Sequence, residues 1–214
     1  MNRRTLLRGV VGTGVLLTTG AGSPGRAHAR GIVLPVRSCA DWGARPASQA
    51  ITVVPRRPVR ILVHHTASDN VEDYSLDAAC AQARWIQHVH MDQNGWLDSG
   101  QHFTNSRGGY LLEGRHQSLD ALRAGDHMIQ GAHCPGQNEA AIGIENEGTY
   151  VDAEPPTPQW ETLVSFCVYA CDQYGISPRE IFGHRDFYAD TVCPGDRFYA
   201  MLPRLRREVA AVLG

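Results

Sequence analysis

Residues 59–66 read Val-Arg-Ile-Leu-Val-His-His-Thr. Apolar, mostly β-branched residues follow a proline and run into a polar cluster, which is the pattern of a short buried strand. This strand ends in two imidazoles. Downstream, Leu76, Ala79, Cys80, Ala83, Ile86, Val89 and His90 fall at helical spacing within 75–91, and the pattern stops before Asn94-Gly95. Residues 101–104 and 110–113 flank Asn105-Ser106-Arg107-Gly108-Gly109, a hairpin pattern. Ala141-Ile142-Gly143-Ile144-Glu145 reads as another short strand. A helix is predicted over 158–174, with Trp160, Leu163, Val164, Cys167, Val168 and Cys171 as its apolar stripe. Ile181-Phe182-Gly183-His184 reads as the last strand, and 196–213 as a closing helix. The order strand, helix, hairpin, strand, helix, strand, helix predicts an α/β domain with a central mixed sheet flanked by helices. It spans 58–214, with no internal repeat or low-complexity linker. Residues 30–57, rich in Pro, Arg and Ser, read as an extended segment anchored by Trp42.

The chain has 214 residues, enough for one well-packed domain. Residues 1–29 read as an export signal: Arg3-Arg4, an apolar run from Gly9 to Gly22, then Ala27-His28-Ala29 as a cleavage site. That run, about fourteen residues, is too short to span a bilayer, and no later segment is long and apolar enough. The arginine pair resembles a twin-arginine signal; an ordinary Sec signal is the alternative. Either way the mature protein is expected to begin near Arg30 and to work outside the cytoplasm, as a secreted monomer. Losing residues 1–29 removes four of the twenty basic residues and none of the twenty-two acids, so the formal charge falls from −2 to −6. An acidic chain argues against nucleic acid or anionic lipid as partner. All its basic residues are arginine, so no lysine can serve as a catalytic cation. Cys39, Cys80, Cys134, Cys167, Cys171 and Cys193 in an exported protein suggest disulfides, with pairing undetermined.

A catalytic zinc wants three ligands from His, Cys or carboxylate, plus an open position. Strand ends offer such donors twice: at His64-His65, and at His184 with Cys193 a little further on. The spacing matches no short local zinc motif such as H-E-x-x-H. Spacing also leaves Cys193 open as a disulfide partner or as a nucleophile with His184 as its base.

Six ordered blocks reach beyond spacing: Ile-Leu-Val-His-His-Thr-Ala (61–67), Gly-Trp-Leu-Asp-Ser-Gly-Gln-His-Phe (95–103), Gly-Gly-Tyr-Leu-Leu-Glu-Gly-Arg (108–115), Gly-Ala-His-Cys-Pro-Gly-Gln-Asn (131–138), Ile-Gly-Ile-Glu (142–145), and Gly-His-Arg-Asp (183–186) with Cys-Pro-Gly-Asp (193–196). With them the chain resembles the type 2 N-acetylmuramoyl-L-alanine amidases, the family that includes peptidoglycan recognition proteins. The resemblance implies a zinc cleft for the glycan–peptide junction of peptidoglycan or a muropeptide, with His64, His184 and Cys193 matching the metal ligands. His65 matches a residue that holds no metal. Recognition proteins that have lost catalysis typically carry serine in place of this cysteine, so the resemblance favours a hydrolase over a binding module. A cysteine hydrolase, insensitive to chelation, is a third reading.

Two positions depart from part of the family. Gln101 stands where many members carry a tyrosine that assists catalysis, and Thr191 where some carry lysine. Cytosolic relatives that also lack the tyrosine use a glutamate in the Ile-Gly-Ile-Glu strand, which makes Glu145 the expected proton-transfer group, ahead of Glu147. Trp96, Arg115, His133, Gln137 and Asn138 lie in blocks that border the family's cleft.

Overall fold

The structure, a computed structural model, describes residues 34–214. The expected export signal lies outside the described residues. Along the chain the elements run β1 (Val36–Arg37), α1 (Cys39–Trp42), β2 (Val53–Val54), β3 (Arg60–His65), α2 (Leu76–His88), β4 (Phe103–Asn105), β5 (Leu111–Glu113), α3 (Ser118–Ala124), β6 (Met128–Ile129), β7 (Ala141–Asn146), α4 (Thr157–Tyr174), β8 (Ile181–Gly183) and α5 (Asp196–Leu213). A π-helical turn at Val89–Gln93 prolongs α2, and a 3₁₀ turn at His184–Asp186 follows β8.

Six strands form one sheet in the order β1-β5-β4-β7-β3-β8. Only the predicted hairpin, β4 with β5, pairs antiparallel; the other neighbours run parallel. The expected mixed sheet is therefore present, with the 59–63 run next to its edge strand as β3. A separate antiparallel pair joins β2 to β6.

Side chains alternate across a strand, and here the alternation divides core from chemistry. Ile61 and Val63 of β3, Ile142 and Ile144 of β7, Phe103 of β4 and Ile181 of β8 pack with Leu163, Phe166, Phe198 and Leu202 of α4 and α5. On the opposite face, Leu62 and Ala141 meet Cys134, Phe182 and Phe187. That face is covered near β5, where Leu112 packs on Ala79, Ala83 and Trp42.

Residues 34–57 hold two short strands and the helical turn α1, fixed by a capping box between Ser38 and Asp41. Trp42 is buried, and its Nε1–H donates to the Glu113 carbonyl at 2.8 Å. Glu113 also joins two helix starts. One carboxylate oxygen accepts from Cys39 N–H at 2.9 Å, the other from Leu119 N–H at 3.0 Å. Orphan amides at the first turns of α1 and α3 thus share one buried anion.

The expected disulfide framework is not formed: among the described residues no cysteine is disulfide-linked. Cys167 and Cys171 instead point from α4 into the main core, where a thiol behaves as a small apolar side chain. No helix among the described residues is long and apolar enough to cross a membrane.

Candidate metal centre

On the face of the sheet opposite the α4–α5 core, alternation puts Leu62 and His64 of β3 beside Gly143 and Glu145 of β7. The parallel register sets His64 directly opposite Glu145 and, on the other side, Val63 opposite Gly183, one residue before His184. Thr104 of β4 is the cross-strand neighbour of Glu145. The functional side chains thus collect at the carboxyl ends of parallel strands, where open α/β sheets leave a crevice.

Cys193 reaches this crevice from the loop before α5. Its N–H donates to Thr191 Oγ1 at 3.1 Å, and Arg185 N–H donates to its carbonyl at 3.1 Å. Gly195 closes the loop at φ +96°, and a Cβ there would lie 2.3 Å from the Tyr150 backbone, so only glycine fits. The ligand atoms of His64, His184 and Cys193 all lie within 4.8 Å of one another. His64 Nδ1 is 3.7 Å from Cys193 Sγ, and the rings of His64 and His184 have centroids 4.6 Å apart.

Buried imidazoles are disfavoured as cations. Burial, then the neighbouring His184, holds His64 well below its ordinary pKa, and burial lowers His184 as well. Neutral nitrogens and a thiol at this spacing suit a soft divalent metal such as zinc. Among the described residues, the buried His184 Nε2 has no hydrogen-bond partner, an orphan that a bound cation or an ordered water would satisfy. The residues therefore fit a zinc ion. Burial pushes the Cys193 thiol up to about 12, a cost that a cation beside the sulfur reverses.

Glu145 is partly open to the crevice, yet the surrounding protein pushes its carboxyl up to about 8, by burial alone. No hydrogen bond or ion pair to it is found among the described residues. Glu147, by contrast, is engaged: it accepts from Arg107 N–H at 2.9 Å. It also lines an adjacent cavity of about 420 Å³ with Ser68, Gln82 and Trp85.

The remaining sequence candidates separate. His65 turns to the other face, its Nδ1 accepting from Tyr150 N–H at 3.3 Å, while its own N–H donates to Cys193 Sγ at 3.4 Å. Gln101 is buried, with Nε2 donating to Thr104 Oγ1 at 2.9 Å and Oε1 lacking a partner among the described residues. Arg115 is turned inward, donating to the carbonyls of Ser99 and Gln130 at 2.7 Å each. Trp96 packs on His90, and Gln137 accepts from Arg60. Asn138 Oδ1 accepts from His133 N–H and Cys134 N–H. These four build the fold around the crevice. His133 alone of this group touches a candidate ligand, with Nδ1 3.0 Å from His64 Nε2. The sequence signal for that contact was the pair of glycines at 131 and 143, which make room for its ring.

Residues 55–196 match the family model described as N-acetylmuramoyl-L-alanine amidase. Peptidoglycan recognition protein 1 of Bos indicus is 31% identical over 172 residues, covering 78% of this chain and 83% of that protein. The human N-acetylmuramoyl-L-alanine amidase is 28% identical over 163 residues, covering 75% of this chain and 26% of that protein. Among solved structures, a Drosophila PGRP-LB mutant in complex with tracheal cytotoxin superposes with a TM-score of 0.68 at 26% identity, covering 78% of this chain and 92% of that one.

Proposed function

The chain belongs to the N-acetylmuramoyl-L-alanine amidase family, and from that premise we propose that it is a zinc-dependent hydrolase of the amide bond between N-acetylmuramic acid and L-alanine in peptidoglycan. The observation that carries the reading is the convergence of His64, His184 and Cys193 beside Glu145, the cross-strand neighbour of His64. His64, His184 and Cys193 would hold the metal. Zinc with two neutral imidazoles and one thiolate keeps a net positive charge and supplies Lewis acidity toward an amide carbonyl and a water molecule.

The chain's own residues supply the rest. A cation held by the three ligands would favour the ionised form of Glu145 over the one that burial alone favours; as a carboxylate it takes the proton of the attacking water, then returns it to the alanine nitrogen as the C–N bond breaks. Among the described residues no partner competes for its oxygens, which leaves both available for that transfer. Gln101 has no titratable proton near neutral pH and cannot replace it. The relative that holds tracheal cytotoxin supports a muropeptide in this crevice. A cysteine nucleophile is disfavoured, because such groups are exposed and lowered in pKa, whereas Cys193 is buried and raised. Export to the cell wall follows from the N-terminal pattern, whose arginine pair suits the twin-arginine route.

A recognition module that holds peptidoglycan without cutting it is the second reading, favoured by Gln101 at the position of the assisting tyrosine. A defined muropeptide separates the two. The hydrolase releases a stem peptide beginning with alanine, and a chelator abolishes the release. Muropeptide binding by zinc-loaded protein with no product would establish the module instead.

A further inference from the structure

His133 takes no part in the reading above, yet both nitrogens of its buried imidazole have a partner. Its Nε2 lies 3.3 Å from the Ala141 carbonyl oxygen, and its Nδ1 lies 3.0 Å from His64 Nε2. A carbonyl can only accept, so His133 carries its proton on Nε2 and presents Nδ1 as an acceptor. His64 must then donate from Nε2. Its Nδ1 is left with a lone pair, and that is the nitrogen 3.7 Å from Cys193 Sγ. One backbone carbonyl thus sets the tautomers of two rings in series.

The surroundings are shaped for this ring. A Cβ on Gly143 would lie 2.7 Å from three atoms of the His133 imidazole, and one on Gly131 would lie 2.6 Å from Cδ2. Glycine inside a strand weakens it, so its presence in β7 marks a close approach. The backbone N–H of His133 is pinned to Asn138 Oδ1 at 2.8 Å. Only 8% of the residue is exposed.

We propose that His133 is a positioning residue that fixes the Nε2–H tautomer and the ring orientation of His64, so that His64 Nδ1 is the metal-binding atom. A neutral imidazole here does what a carboxylate or a carbonyl does for most metal-ligating histidines. The inference rests on His64 being a zinc ligand.

Zinc affinity, measured by competition with a chromophoric chelator on the purified protein, tests it without reference to turnover. His133→Phe keeps the ring but loses the acceptor, and zinc should bind about 10–100-fold more weakly. His133→Asn places Oδ1 where Nδ1 stood, and its affinity should stay within about threefold of wild type, well short of that loss. Wild-type affinity in His133→Phe overturns the proposal, as does an equal loss in both variants, because an acceptor restored at the Nδ1 position would then restore nothing. Failure of the wild-type protein to bind zinc at all would overturn the zinc reading rather than this refinement of it. A long-range ¹H–¹⁵N spectrum of the zinc-loaded wild-type protein needs no variant. It should show His64 and His133 both protonated on Nε2, and a proton on His64 Nδ1 would refute the assignment.

Discussion

Replacing His102 by asparagine should flatten the decline of stability in mild acid. His102 is 1% exposed. Its Nδ1 accepts from Gly143 N–H at 2.9 Å, and its Nε2–H donates to the Ile129 carbonyl at 2.7 Å. Only the neutral ring satisfies both contacts, because a proton on Nδ1 would face the Gly143 N–H. Burial, aided by the Arg115 charge and partly opposed by the Ile129 carbonyl, brings its pKa down from 6.5 to about 4. Above pH 6.5 the ring is neutral whether folded or not. Between 6.5 and about 4 only the unfolded chain takes the proton, so stability is lost as pH falls through that window. The loss is about 3 kcal/mol in full and about 2 kcal/mol by pH 5, against a total of roughly 5–15 kcal/mol for a domain. Asparagine Oδ1 can still accept from Gly143 but has nothing to titrate. Urea unfolding of both proteins from about pH 7.5 to about pH 5 should therefore give curves that converge by about 2 kcal/mol. The offset at the alkaline end reports the lost bond to Ile129. Other buried groups titrate in both proteins and largely cancel in the difference. Parallel curves would refute the reasoning.

Glu113→Gln replaces one of two accepting oxygens with a donor facing a helix N-terminal amide. It should cost about 1–3 kcal/mol in urea unfolding, and an unchanged midpoint would remove the shared-anion account. Metal analysis should find one zinc per wild-type chain and little in Cys193→Ser; full loading of that variant would sink the ligand assignment. Glu145→Gln should lower turnover by about 10²-fold or more with zinc retained, whereas Gln101→Ala should cost far less. Near-normal turnover in Glu145→Gln excludes it from proton transfer, and loss of zinc would recast it as support for the ligands. Substituting Lys for Arg3 and Arg4 should block export, and undiminished secretion would point to the Sec route.

Long periodic segments were legible in the sequence because burial wrote them. The helix predicted over 158–174 runs Thr157–Tyr174, and the closing helix matches Asp196–Leu213. The hairpin pairs Phe103 with Glu113 around the expected turn. Helix α3 was not legible, because its cap is remote. Gln117 before it sits at φ +69° without a side-chain cap, and the second amide is taken by Glu113 instead. Two-residue strands such as β1, β2 and β6 carry no period at all, and their partners lie far along the chain. The cysteines misled because export suggests disulfides, whereas Cys167 and Cys171 are core packing. In the crevice, the resemblance singled out the residues that converge, His64, His184 and Cys193. Arg115 lies in a block that borders the cleft, and what the sequence does not reveal is that its guanidinium turns inward to the carbonyls of Ser99 and Gln130.

The strands are made in an order that differs from their order in the sheet. His64 is separated by 69 residues from His133 and by 129 from Cys193, and β3 pairs only with strands made later. Such non-local parallel pairings close large loops before any contact rewards them, which slows folding. A ribosome that has finished β3 has the first imidazole in place and nothing to set beside it. The crevice comes together only once Cys193 has emerged, so a product truncated before it lacks the third donor.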